Sequence, residues 1–286
     1  MGLYSGLLYG GILLLSDEFK RFWAGFEISA ALFLYFFTLW VIAPHAGESW
    51  ANIAIVVIMI FAFVYVLAIS PFIHRDTLAD RGLGGWCSCF IRHDNLRKAT
   101  VQFGVVTLVG AALLVMLALW LDKEALSKIN WLAVRDRFLF YLPFALIQDF
   151  FFYGFIFQRI LTLIPRPMQS EMLSGTFGDR AQNIVRHRLA IAVLMGIIFS
   201  ACHIPNFSMM LICFAAGIFW TRIFYLTPNI LMLVMSHALL GTILSRFTFL
   251  YTRVGPFYAN NDRYVFITVF GGIKEWFAGL LKIALQ

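Results

Sequence analysis

Polar positions along this chain are interruptions in hydrocarbon. Apolar runs long enough to cross a bilayer, which takes about 20 residues at the helical rise, cover roughly 25–43, 51–74, 101–121, 137–164, 188–204, 207–225 and 229–247. Inside lipid each backbone amide must find its partner within the segment, so these seven runs predict helices and an all-α, polytopic bundle. The two ends follow different patterns. Residues 2–15, "GLYSGLLYGGILLL", are apolar but short, with no basic region before them and no small-residue cleavage site after them. They predict an interfacial or half-spanning helix. Between 264 and 286 the apolar residues Phe266, Val269, Phe270, Ile273, Trp276, Phe277, Leu280 and Leu281 recur at helical spacing, with Lys274, Glu275 and Lys282 on the other face. That pattern predicts either an amphipathic helix lying on the membrane or an imperfect eighth span.

Composition agrees with this reading and narrows it. Of 286 residues 61% are hydrophobic, 31 are Phe, and the mean hydropathy is +0.83, far outside the range of soluble domains. No repeat, low-complexity tract or domain-sized loop interrupts the spans, so 1–286 reads as one membrane domain. The expected setting is an integral membrane protein of a prokaryotic cytoplasmic (inner) membrane.

The net charge of +7 is explained by topology and anionic lipid rather than by nucleic acid, because no basic patch with interleaved aromatics stands on a soluble module. The connection 75–100 carries Arg75, Arg81, Arg92, Arg97 and Lys98, and 159–188 carries Arg159, Arg166, Arg180, Arg186 and Arg188, whereas 44–50 has neither Lys nor Arg. A cytoplasmic N-terminus follows. The connection 121–137, placed outside by this scheme, runs against it with Lys123, Lys128, Arg135 and Arg137.

Four cysteines build no disulfide framework here. Cys202 and Cys213 fall in spans, and Cys87 and Cys89 form a C-x-C in a basic loop. With His93 nearby, that C-x-C offers at most three metal ligands, and spare cysteines are the plainer reading.

The chemistry begins at "ALIQDFFFYGFIFQ", residues 145–158, where Gln148 and Asp149 sit together in the fourth span. An aspartate at a helix centre in the bilayer costs about 2.5–3.5 kcal/mol on insertion scales, so it faces the bundle interior and has a partner. The titratable groups found away from the ends of the other spans are His203 in "FSACHIPNF" and His237 in "MSHALLG". Residues four apart share a helix face, which puts Phe199 beside His203, Gly241 beside His237 and Tyr153 beside Asp149. Pro205 is expected to end the fifth helix and leave His203 near a water-accessible rim. A carboxylate, two imidazoles and access for water suffice for general acid and base work on an amide bond.

The order "QDFFFYG", "FSACH" and "HALLG" on the fourth, fifth and seventh spans resembles the CAAX-protease and bacteriocin-processing family (CPBP, or Abi) of glutamate-dependent intramembrane endopeptidases. That family's pattern is E-E-x-x-x-R-G, then F-x-x-x-H, then H-x-x-x-N or H-x-x-x-D. Pro143, Gly217 and "LTPNILMLVMSH" add to the likeness, which covers about 137–247. The resemblance implies a helical bundle whose first Glu activates water with help from the second-motif His, while the third-motif His and Asn bind the oxyanion. By position those roles fall on Gln148, His203, His237 and Gly241. The chain departs from the pattern in three places: Gln148 is an amide and no base, Tyr153 stands for Arg, and Gly241 has no side chain. Asp149 alone keeps the charge of the acidic pair.

Two functions stay open on this reading. One is a divergent intramembrane endopeptidase in which Asp149 is the base beside His203, Gln148 orients water or the oxyanion, and Phe199 shapes the pocket wall. It would cleave a membrane protein or peptide without any cofactor. The other is a pseudoprotease that keeps the groove as a membrane scaffold, regulator or immunity protein. A transporter is disfavoured by the lack of an inverted repeat or paired broken helices. Zinc held by Asp149, His203 and His237 is disfavoured by the lack of an H-E-x-x-H signature. Membrane lipid is the remaining expected partner.

Overall fold

Ser16 starts the first helix by accepting a hydrogen bond from the Phe19 amide at 3.1 Å, with Asp17 and Glu18 in the favourable first turn. The computed structural model describes residues 16–85, 90–164, 177–248, 250, 252 and 254–258. Both terminal segments singled out above, 2–15 and 264–286, lie outside the described residues, as do Cys87 and Cys89 of the C-x-C. Helix α1 (Asp17–Phe37) continues through a π turn and a 3-10 turn to His45, and α2 (Ser49–Val64) continues through a π turn into α3 (Ser70–His74). Then come α4 (Leu96–Leu121), α5 (Trp131–Asp149), a π-helical stretch Phe150–Ile156, α6 (Phe157–Leu163), α7 (Phe177–Ala201), α8 (Phe207–Leu226) and α9 (Ile230–Phe247). Among the described residues there is no β-strand.

Seven of these helical stretches are long and apolar enough to cross a membrane, as the hydropathy pattern predicts. Their outward faces expose Phe22, Phe33, Phe72, Leu108 and Phe140, side chains suited to hydrocarbon rather than water. The first span begins at Asp17, not near 25, because the capped first turn carries the helix back through polar residues. The chain divides into two compact units, Met1–Arg81 with Phe150–Ile191, and Gly82–Asp149 with Ala192–Gln286.

In the second unit, small residues and buried amides set the helix positions. Gly196 of α7 faces Gly217 of α8 so closely that a Cβ on Gly217 would lie 2.9 Å from the Gly196 Cα, a backbone approach that only glycine admits. Asn229, fully buried, caps α9 by accepting from the Met232 amide at 3.2 Å. Its Nδ2 donates to the Arg92 carbonyl at 3.0 Å and to Asn95 Oδ1 at 2.9 Å, while Asn95 Nδ2 donates to the Pro228 carbonyl at 2.9 Å. This amide pair ties the connection before α4 to the start of α9 and so fixes where α9 begins. The connection 121–137 is not a bare positive loop: Lys128 pairs with Asp122 at 2.7 Å and Arg135 with Asp136 at 2.8 Å.

The first unit is held by buried charge. Glu27 of α1, 3% exposed, accepts from the Tyr65 hydroxyl at 2.7 Å and lies 3.0 Å from His74 Nε2 and 3.5 Å from Arg159 Nε. Arg159, on α6 and 0% exposed, also pairs with Asp76, which receives Arg81 Nη2 at 3.0 Å. Arg81 further donates to the Val66 carbonyl at 2.8 Å. Burial draws its guanidinium down to about 10, so it stays charged at neutral pH.

Candidate active site

His237 sits two turns into α9, at a height set by the Asn229 cap, and Asp149 is the last residue of α5 before the π-helical stretch. Their side chains meet: His237 Nδ1 lies 2.8 Å from Asp149 Oδ1. Asp149 is 0% exposed, and its second oxygen, Oδ2, is buried with no hydrogen-bond partner among the described residues. With Asp149 ionised its oxygens only accept, and His237 then donates through Nδ1–H. In the neutral imidazole Nε2 then carries the lone pair. That nitrogen faces the hydroxyl of Tyr141 at 3.2 Å, which makes a chain of hydroxyl, imidazole and carboxylate.

Aromatic rings enclose this chain. The Trp220 ring lies 4.9 Å from the His237 ring and the Phe199 ring 5.8 Å from it, centroid to centroid. Trp220 is fixed by its indole N–H, which donates to Ser236 Oγ at 3.0 Å. The Arg137 guanidinium stands 5.0 Å above the Tyr141 ring, in cation–π range.

His203 lies on the turn after α7, which ends at Ala201, and is half-buried. Its Nδ1 is 2.9 Å from the Phe199 carbonyl oxygen, so Nδ1–H donates there and Nε2 carries the lone pair, 3.5 Å from Cys213 Sγ. The Phe199 ring touches both imidazoles, at 5.4 Å from His203 and 5.8 Å from His237. Asp149 and His237 are therefore in direct contact, while His203 adjoins them across Phe199. Among the described residues His203 shows no hydrogen bond to either.

The remaining residues singled out by sequence fall as follows. Gln148 is half-buried, with Oε1 buried and without a hydrogen-bond partner among the described residues. Gly241 packs under the Tyr141 ring: a Cβ there would run into Tyr141 Cε1, with Cζ at 3.1 Å and Cδ1 at 3.2 Å. Tyr153 falls on the π-helical stretch, where the four-residue spacing of an α-helix does not hold. It is buried, with its ring centroid 6.4 Å from that of Phe157. Among the described residues no group of three or more His, Cys, Asp or Glu side chains could hold a metal ion.

Residues 130–243 match the family model described as Type II CAAX prenyl endopeptidase Rce1-like. That segment is Rce1-like. No curated protein and no solved structure matches the chain. The Rce1-like segment contains Tyr141, Gln148, Asp149, Phe199, His203, Cys213, His237 and Gly241, all of the side chains assembled above. The matched family is one of proteases, and the seven apolar helices among the described residues make the chain an integral membrane protein.

Sequence reasoning passed over two sets of residues. Tyr141 stands in the apolar run "FLFYLPFALIQD", where a tyrosine reads as packing. The signal was available in the only hydroxyl of that run, eight residues before Asp149. Glu27, His74 and Arg159 were passed over because each lies near the end of an apolar run, where a charge is inexpensive.

Proposed function

We propose that this protein is a divergent intramembrane endopeptidase that hydrolyses a peptide bond in a membrane-associated protein or peptide of a prokaryotic cytoplasmic membrane. The observation that carries the reading is the buried Asp149–His237 pair, with Asp149 Oδ2 left without a partner among the described residues. His237 Nδ1–H holds Oδ1 in place, so Oδ2 is the oxygen available as a base. Oδ2 takes a proton from water as the water oxygen bonds to the scissile carbonyl carbon. The carbonyl electrons pass to oxygen, and when the tetrahedral intermediate breaks its C–N bond, the proton on Asp149 goes to the leaving amine. Gln148 orients the water or the oxyanion through its amide, and His203 Nε2 assists at the water. Phe199 walls the pocket.

A second reading has one observation in its favour. Both His203 nitrogens lie against partners from their own chain, the Phe199 carbonyl and Cys213, as in a packed structural histidine. Together with an amide at 148, this suits a pseudoprotease that holds a membrane partner without cutting it. Profiling of protein N-termini in membranes containing wild type or Asp149→Asn separates the two. Termini that appear only with wild type support the protease. Identical profiles support the pseudoprotease.

A further inference from the structure

Gly241 and Tyr141 occupy one another's space. The ring of Tyr141 lies where any side chain on residue 241 would have to go, so the missing Cβ admits the ring. Once there, its hydroxyl reaches His237 Nε2 at 3.2 Å, on the side of the imidazole opposite Asp149. The two rings stand perpendicular, with centroids 5.6 Å apart, and Arg137 covers the tyrosine face at 5.0 Å. The contact is thus set by three neighbours on two helices, α5 and α9, and not by a freely rotating side chain.

We infer that Tyr141 is a positioning residue for His237: its hydroxyl occupies Nε2 and thereby keeps Nδ1–H directed at Asp149 Oδ1. The chemical reason lies in the two tautomers of neutral imidazole, one N–H and one lone pair that can exchange places. With the tyrosine O–H donating to Nε2, the lone pair is pinned there and the proton belongs on Nδ1. If the proton moved to Nε2, Nδ1 would turn a lone pair toward the carboxylate at 2.8 Å, and Asp149 would lose its donor. The consequence for cleavage rests on the proposed role of Asp149 as base, while the tautomer itself can be read without any substrate.

The test uses the full-length protein in lipid nanodiscs with ¹⁵N-histidine, comparing wild type with Tyr141→Phe, which removes one oxygen and leaves the ring over Gly241. The nitrogen shifts of His237, assigned through a His237→Gln control, are read across pH beside cleavage kinetics on a membrane peptide. In wild type the expected spectrum has a protonated Nδ1 and a hydrogen-bonded Nε2. In Tyr141→Phe the Nε2 signal moves toward a free lone pair or a mixture of tautomers. The expected kinetic effect is a fall in kcat of about tenfold, the scale of one net hydrogen bond, with KM within about twofold. Unchanged His237 shifts in Tyr141→Phe overturn the inference, and so do altered shifts with undiminished cleavage. Altered shifts in Tyr141→Phe, where wild type itself cleaves nothing, support the tyrosine's hold on His237 and count against the protease reading alone.

Discussion

His237 Nδ1 meets Asp149 Oδ1 at 2.8 Å, and the other carboxylate oxygen is buried with no partner among the described residues. A carboxylate in the interior of a helix bundle is stabilised by such a donor and is placed at a disadvantage without it. Both residues lie within the matched segment 130–243, on two helices that also meet where the Tyr141 ring packs over Gly241.

That fit makes a testable demand on packing. Gly241→Ala forces a methyl group into the Tyr141 ring, and overpacking of this kind costs about 1–3 kcal/mol. The account expects a lower melting temperature in detergent for Gly241→Ala and a clearly smaller further loss when the same change is made in Tyr141→Ala. Equal losses in the two backgrounds would mean that the ring and the glycine do not compete for space.

The charged cluster of the first unit makes another. Arg159 faces buried Glu27 and half-buried Asp76 and is 0% exposed, so Arg159→Leu takes the guanidinium away from both, leaving Asp76 to Arg81 and Glu27 to His74 and Tyr65. Breaking a buried pair by removing one partner costs about 3–5 kcal/mol, and thermal unfolding should show it as a large drop in melting temperature. Adding Glu27→Gln to Arg159→Leu should restore part of the loss, because it removes a buried carboxylate that has lost the guanidinium. A double variant no more stable than the single one would contradict the assignment of Glu27 as a partner of Arg159.

Topology follows from charge and from one contact. Gln158 Nε2 donates to the Asp80 carbonyl at 2.6 Å, so the connections 75–100 and 159–188 start side by side. Cysteine accessibility labelling of Asp94→Cys and Asn183→Cys, in a background lacking Cys87 and Cys89, should report one shared, cytoplasmic side, and Lys123→Cys the opposite one. Labelling of Asp94→Cys and Asn183→Cys from different sides would remove the topology.

The seven spans were legible in sequence because hydrocarbon thickness imposes a length that hydropathy records directly. Asp149 and His237 were legible for the same reason, since a titratable group in the middle of an apolar run stands out at once. The π-helical stretch Phe150–Ile156 was not, because nothing in "FFFYGFI" distinguishes a widened turn from an α-helical one, and so the facing of Tyr153 toward Asp149 was drawn with the wrong period. Glu27 escaped because the apolar run starts near 25, whereas the capped helix starts at Asp17 and carries Glu27 well into the span. Gly241 read as a lost side chain, yet its meaning depends on Tyr141, 100 residues earlier, and such a reciprocal fit has no local signature.

The central claim is that Asp149, and not Gln148, supplies the base. Asp149→Asn nearly preserves shape and the possibility of a hydrogen bond to His237 while removing proton affinity, and general-base catalysis contributes about 10²–10⁴-fold. Gln148→Glu adds a second carboxylate beside it. The direct measurement is the rate of cleavage of a membrane-embedded peptide by purified protein in vesicles, for wild type and both variants. The account predicts a loss of at least about 10²-fold for Asp149→Asn, with Gln148→Glu as active as wild type or more so. Cleavage that survives Asp149→Asn would contradict it and leave the histidines as the groups to explain the reaction.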